Sequence, residues 1–168
     1  MVTDHRYEDI EANTVTHRAS TEYRAFRAAV AEEGLLARPS DLRYWRPVSG
    51  FLTRTTQEAA ASKTESQAYI VVEELTPKYA QKGSILRQLE GVVREAEQDS
   101  SVLSFWVLHR GEGDEAERLL VFIRCESKDT WAGLMARDAV TKPWETMKGL
   151  LDSHMRTTWV ECLGFLGR

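Results

Sequence analysis

The chain has 168 residues, of which 42% are apolar, 29% charged and 9% aromatic, with two cysteines and a net charge of −4. That balance fits a chain folding around one core and excludes a disordered tail, a collagen-like fibre and a disulfide scaffold. Its 22 basic and 26 acidic residues are interspersed, so no basic stripe marks a nucleic-acid binder, and the longest apolar stretches, 68–72 and 119–123, fall far short of a membrane span. With no charged start leading into an apolar run, no secretory signal is read, and the expected location is the cytoplasm.

Residues 1–66 are polar and rich in Arg, Thr and Ser. One helix is expected over about 20–34: Ser20 or Thr21 caps it, Tyr23, Phe26 and Val30 follow at helical spacing, and Gly34 stops it. Residues 42–52 carry Tyr44, Trp45, Pro47, Val48 and Phe51 without sustained period, and read as an irregular segment. Residues 57–67 (QEAAASKTESQ) hold no large apolar side chain and read as a linker or a short exposed helix.

From residue 67 the pattern is regular. AYIVVEEL (68–75) is rich in β-branched residues and ends at Thr76-Pro77, a strand and a turn. Within 78–99, Ile85, Leu86, Leu89, Val92, Val93 and Ala96 form one face of a helix. SVLSFWVLHR (101–110) and ERLLVFIRCE (117–126) are two more strands, joined through a hairpin loop at 111–114. Ser127 is placed to cap a helix beginning KDTWAGLMA, and Lys142-Pro143 is expected to interrupt before a second short helix at 144–151. RTTWVECLGFL (156–166) is the last strand.

The order strand, helix, strand, strand, helix, strand implies an α+β, ferredoxin-like βαββαβ domain over 67–168, preceded by an N-terminal extension over 1–66. Four strands form one antiparallel sheet with the helices on one face. Strand alternation places Leu119, Val121 and Ile123 against Leu120 and Phe122, and Phe105, Val107 and His109 against Ser104, Trp106 and Leu108. Both faces of the central strands are therefore largely apolar. Helices cover one, and a second copy of the chain is the expected cover for the other, making a homodimer.

Residues 67–168 resemble the antibiotic biosynthesis monooxygenase family of the dimeric α/β-barrel superfamily. The resemblance rests on AYIVVEELTPKYAQ, on SVLSFWVLHRGEGDEAERLLVFIRCESKDTWAGLMA and on the closing TTWVECLGF, and it covers 102 of the 168 residues. It implies a homodimeric barrel with a pocket between each sheet and its helices. It also implies oxidation of aromatic or polyketide-derived small molecules of secondary metabolism by O₂, without metal, flavin or haem. Relatives on the same scaffold degrade haem or act as cyclases, decarboxylases or isomerases. Many members carry a Trp at the end of the third strand and, nine residues on, a His that ligates haem in the haem degraders. Here those slots hold Cys125 and Leu134, which argues against haem at that position.

No stand-alone catalytic motif is present, so candidates are polar residues within apolar strands. His109 suits deprotonation of a phenol or enol if it points inward, and is otherwise a solvated strand end. Of Glu73 and Glu74, which point to opposite faces, one is a candidate buried base or both are rim carboxylates. Arg124 either holds an anionic oxygen or pairs with Glu73 or Glu161 across the sheet. The expected catalytic set is thus His109, Arg124 and Glu73. Tyr69, Trp106, Trp131, Phe122 and Ser104 are the expected substrate contacts, with Trp106 and Trp131 as aromatic walls and Ser104 or Thr158 as hydroxyl donors. His154, in Asp152-Ser153-His154, reads as a solvated loop residue, and His5 and His17 lie in the extension. Cys125 and Cys162, without CxxC spacing, read as reduced buried thiols, and neither cofactor nor metal is expected. Three functions stay open at this level: a cofactor-independent monooxygenase, a non-oxidative enzyme on the same scaffold, or a non-catalytic module that binds a small ligand.

Overall fold

The structure, a computed structural model, describes residues 12–34, 44–51, 68–110 and 117–160. The chain divides into two compact units, Met1–Leu42 and Arg43–Arg168. In the first, a short π-helical stretch, Ala12–His17, precedes α1, Thr21–Glu32. The Ser20 side chain accepts from the Tyr23 N–H at 3.2 Å, which is the expected N-cap. Gly34 follows at φ +62°, the left-handed stop that glycine adopts most cheaply. The helix buries none of its own residues.

The second unit is a five-stranded antiparallel sheet, β1 (Trp45–Phe51), β2 (Tyr69–Pro77), β3 (Val102–Arg110), β4 (Leu119–Cys125) and β5 (Leu151–Val160), in the order β1-β3-β4-β2-β5. Three helices, α2 (Lys82–Glu97), α3 (Lys128–Met135) and α4 (Asp138–Lys148), accompany it. Strands β2 to β5 with the helices between them give the expected ferredoxin-like order, with the helices on one face. The segment read as irregular turns out to be the added edge strand β1. Pro47 interrupts its ladder, a bulge falls between Pro47 and Ser49, and Gly50 sits at φ +116°. Those three features erase period 2 from the sequence, and all are tolerated on an edge strand. A Cβ on Gly50 would lie 2.0 Å from the Phe105 carbonyl oxygen, so glycine is required where β1 meets β3.

The helix-facing side of the sheet carries Val71, Leu75, Phe105, Val107, Leu119, Val121 and Ile123, all essentially inaccessible to solvent. Against them pack Ile85, Leu89, Val92 and Ala96 of α2, Trp131 and Leu134 of α3, and Val140, Trp144 and Met147 of α4. The expected helical face of α2 is thus the buried one. Ser127 caps α3, accepting from the Thr130 N–H at 3.1 Å. The break between α3 and α4 falls at Arg137, whose extended backbone (ψ 134°) starts α4; Pro143 lies inside α4 and does not interrupt it. Within the first turns of a helix a proline removes a single internal hydrogen bond, and the buried Val140, Trp144 and Met147 face outweighs that loss.

Two ties brace the ends of the helices and strands. Arg137 pairs with Glu95 at 3.2 Å and with Asp99, pinning the start of α4 to the end of α2. At the other end, Lys78 donates from its backbone to the Leu150 carbonyl (2.9 Å) and from Nζ to the Gly149 carbonyl (2.8 Å). This second tie starts β5 at Leu151, five residues before the expected onset at 156. The expected hairpin loop at 111–114, the linker at 57–67, Glu161, Cys162 and His5 lie outside the described residues.

Candidate functional site

Glu73 is the only carboxylate among the described residues that the fold buries completely. It lies on β2 between Val71 and Leu75, on the helix-facing side, because strand alternation leaves it no other choice. An ionised carboxylate placed there without partners would be prohibitively costly. Register supplies the partners from β5: Arg156 stands opposite Glu73 and His154 opposite Leu75. Arg156 Nε donates to Glu73 Oε1 at 2.5 Å, and His154 Nε2 meets Oε2 at 2.5 Å. Both carboxylate oxygens are thereby satisfied, while the His154 and Arg156 side chains keep 25% and 41% exposure. The carboxylate forms the floor of the cluster, and the imidazole and the guanidinium form its accessible rim.

Aromatic rings from the helices hold the rim in place. The His154 imidazole stacks on the Trp144 indole, with centroids 5.9 Å apart and planes at 18°. The Arg156 guanidinium lies over the Trp131 ring, 5.3 Å from its centroid, in cation–π geometry. With Nε2–H donating to Glu73, a neutral His154 carries its lone pair on Nδ1. Nδ1 and the two terminal amino groups of Arg156 make no hydrogen bond among the described residues. The cluster therefore offers a proton acceptor, with its tautomer set by a buried carboxylate, next to a cation able to hold an anionic oxygen.

The structure distributes the sequence-derived candidates over both sheet faces. Glu73 and Trp131 join the cluster. Tyr69 begins β2 on the same side and packs against the core. His109 shares that side by alternation but stands opposite Leu119 on β3, with β4 between it and β2, and its Nδ1 meets the Arg110 carbonyl at 3.0 Å. Arg124 lies on the opposite face, across from Ile70 and Ser104, so it cannot pair with Glu73. Trp106 and Phe122 share that opposite face, their rings 6.4 Å apart, and Ser104 is buried beside them in register. His109, Arg124 and Glu73 are thus not one constellation.

The sequence reading missed His154 and Arg156 as Glu73's partners. His154 is a strand residue and not a loop residue, since β5 begins at Leu151. The signal was the alternation His154, Arg156, Thr158 beyond the end of α4. The Cys125 and Leu134 slots are both fully buried in the core, and Leu134 has no atom with which to ligate a haem iron. Burial pushes the Cys125 thiol up to about 12. Among the described residues no group of His, Cys, Asp and Glu is arranged to hold a metal ion, and no helix is long and apolar enough to cross a membrane.

Fold and site together define an α+β, ferredoxin-like sheet protein with a polar cluster seated between sheet and helices. Solved structures bear this out at the level of fold. The "Putative monooxygenase" of Fusobacterium nucleatum superposes with a TM-score of 0.72 at 10% identity, covering 92% of this chain and 65% of its own. The "putative monooxygenase" of Lactobacillus acidophilus gives 0.65 at 10% identity, over 92% and 69%. The "Putative antibiotic biosynthesis monooxygenase" of Bacteroides thetaiotaomicron gives 0.54 at 8% identity, over 61% and 96%. The chain therefore spans about two thirds of the F. nucleatum protein. No protein-family model and no curated protein matches the sequence.

Proposed function

We propose that the protein is a cofactor-independent monooxygenase-type enzyme, acting in the cytoplasm on an aromatic or polyketide-derived small molecule of secondary metabolism. The observation that carries this reading is the buried Glu73 carboxylate, which orients His154 and Arg156 at a partly open rim lined by Trp131 and Trp144. His154 Nδ1 takes the proton of a phenolic or enolic O–H; that bond breaks, the electron pair stays on oxygen, and Arg156 balances the new charge. The anion passes one electron to O₂, the resulting radical and superoxide combine in a C–O bond, and loss of water leaves one oxygen atom in the product. Glu73 is a positioning residue in this scheme, acting through His154. A homodimer belongs to the same reading: the face opposite the helices presents Ile70, Val72, Leu120, Phe122 and Trp106, with Trp159 at its margin, and a second copy would cover it.

One observation favours a non-oxidative alternative, a cyclase, decarboxylase or isomerase. Cys125 and Leu134 fill the slots where many relatives carry Trp and His, so the cluster offers acid/base groups and little else. Incubation with a panel of polycyclic phenols, followed by mass spectrometry in air and under strict anaerobiosis, separates the two. Gain of one oxygen atom in air and no turnover without O₂ is the expected result. Product formed at the same rate without O₂ makes the enzyme non-oxidative.

A further inference from the structure

Trp144 holds a hydrogen-bond donor that the fold leaves unused. The residue is 3% exposed, and its Nε1 is the one buried side-chain nitrogen or oxygen among the described residues that lacks a partner. An indole N–H is donor only, and burying one unsatisfied costs free energy that native proteins rarely accept without a use for it. Burying the whole indole in the core explains the ring, which α4 presents at helical spacing with Val140 and Met147. It does not explain the N–H, because burial of an aromatic face does not call for a hydrogen-bond donor. The indole also lies nearly parallel to the His154 imidazole, with ring centroids 5.9 Å apart, so the residue that holds the unused donor is the one stacked on the ring that carries the cluster's proton acceptor.

We propose that Trp144 is a substrate-binding residue whose indole N–H donates to the oxygen that His154 deprotonates. This rests on the function proposed above. As the O–H proton moves to His154 Nδ1, the electron pair left on oxygen meets two donors, Arg156 through its terminal amino groups and Trp144 through Nε1. The charges balance: with neutral His154, the Glu73 carboxylate and Arg156 guanidinium cancel, and the protonated imidazole offsets the new oxyanion. Before proton transfer the same N–H meets an uncharged oxygen, hydroxyl or ether alike, and the contact strengthens only where that oxygen can lose its proton and take up the charge, which an ether-blocked or unsubstituted ring cannot do. Trp144 thereby discriminates for the acidic oxygen itself, while the aromatic surfaces bind the rest.

4-Nitrophenol tests this directly, because its phenolate absorbs visible light and its phenol does not. 4-Nitroanisole, the same ring with the hydroxyl methylated, is the control. With wild-type protein below the phenol's own pKa, binding should raise the phenolate absorbance. Trp144→Phe should bind 4-nitrophenol about tenfold to a hundredfold more weakly and with less phenolate, as expected for one lost hydrogen bond to a charged oxygen. Its affinity for 4-nitroanisole, whose ether oxygen never carries the charge, should fall far less. Equal weakening for both probes would reduce Trp144 to packing, and no weakening for either would leave its N–H without a role; each overturns the proposal. Wild-type protein that binds 4-nitrophenol only as the neutral phenol, or not at all, overturns it too. His154→Asn keeps the two claims apart. If it abolishes phenolate formation while Trp144→Phe changes nothing, the base stands and the indole donor falls. If Trp144→Phe weakens binding while His154→Asn leaves the phenolate intact, the indole donor stands and the base falls.

Discussion

Glu73 and His154, separated by 81 positions in the chain, meet at 2.5 Å between Oε2 and Nε2. The contact joins a wholly buried acceptor to a ring with a quarter of its surface in solvent, so the carboxylate fixes which imidazole nitrogen remains available. It exists because β2 and β5 pair in the register that sets Leu75 against His154 and Glu73 against Arg156.

Glu73→Gln keeps the side chain's volume but withdraws its charge and turns one acceptor into a donor facing His154 or Arg156. The fold should survive, at a cost of about 1–3 kcal/mol in urea unfolding, since both partners can reach water. The activity should fall between about tenfold and a hundredfold, mainly in kcat, with a displaced pH profile. A loss confined to stability, with kcat and its pH profile unchanged, would make Glu73 purely structural.

Gly50→Ala places a methyl group against the Phe105 carbonyl at a backbone conformation that alanine avoids. β1 should separate from β3 while the other four strands keep their pairing. Hydrogen exchange would read this as lost protection across Trp45–Phe51 with the amides of β2 and β4 still protected. Uniform protection in the variant would contradict the required glycine.

Cys125 should not react with a water-soluble disulfide reagent in the native protein and should react at once in denaturant. Its pKa is raised, first by burial and then by the nearby Asp99 charge, from 9.0 to about 12. The unfolded chain thus releases this proton at a lower pH than the folded one. The associated stability is complete below pH 9 and is lost as pH climbs toward 12. Comparing Cys125→Val with wild type isolates this contribution from other alkaline titrations, and the variant should show a shallower decline over that window.

Asp99 behaves in the opposite sense. Its carboxyl is held below the usual value chiefly by the Ser101 hydroxyl, with the Ser101 backbone N–H and Arg137 adding to the effect against the opposing cost of burial. The stabilisation is present above the ordinary value of 3.8 and is lost as pH falls through the lowered folded value. Ser101→Ala should therefore cost about 1 kcal/mol at neutral pH, and that cost should shrink in acid as Asp99 protonates in both proteins. A penalty independent of pH would assign Ser101 no role in holding the charge.

Much of the fold was legible because it rests on local pattern. The β-branched run of β2, the helical face of α2, the Ser127 cap and the two apolar faces of β3 and β4 are all written over a few consecutive residues. β1 was not, since Pro47, a bulge and Gly50 break its alternation. β5 was legible only in its second half: as an edge strand it exposes nearly every residue after Leu151, so Asp152, Ser153 and His154 look like loop. Glu73 was visible as a polar residue in an apolar strand, but its partners depend on register between strands far apart in sequence. A single mis-set boundary on β5 concealed both His154 and Arg156.

Nitrogen NMR of the His154 ring, assigned by its loss in His154→Asn, tests the central relationship most directly. At a pH where the imidazole is neutral, the Glu73 contact requires the proton on Nε2 and an unprotonated Nδ1, and Glu73→Gln should abolish that preference. A proton resident on Nδ1, or a tautomer balance indifferent to Glu73→Gln, would contradict it.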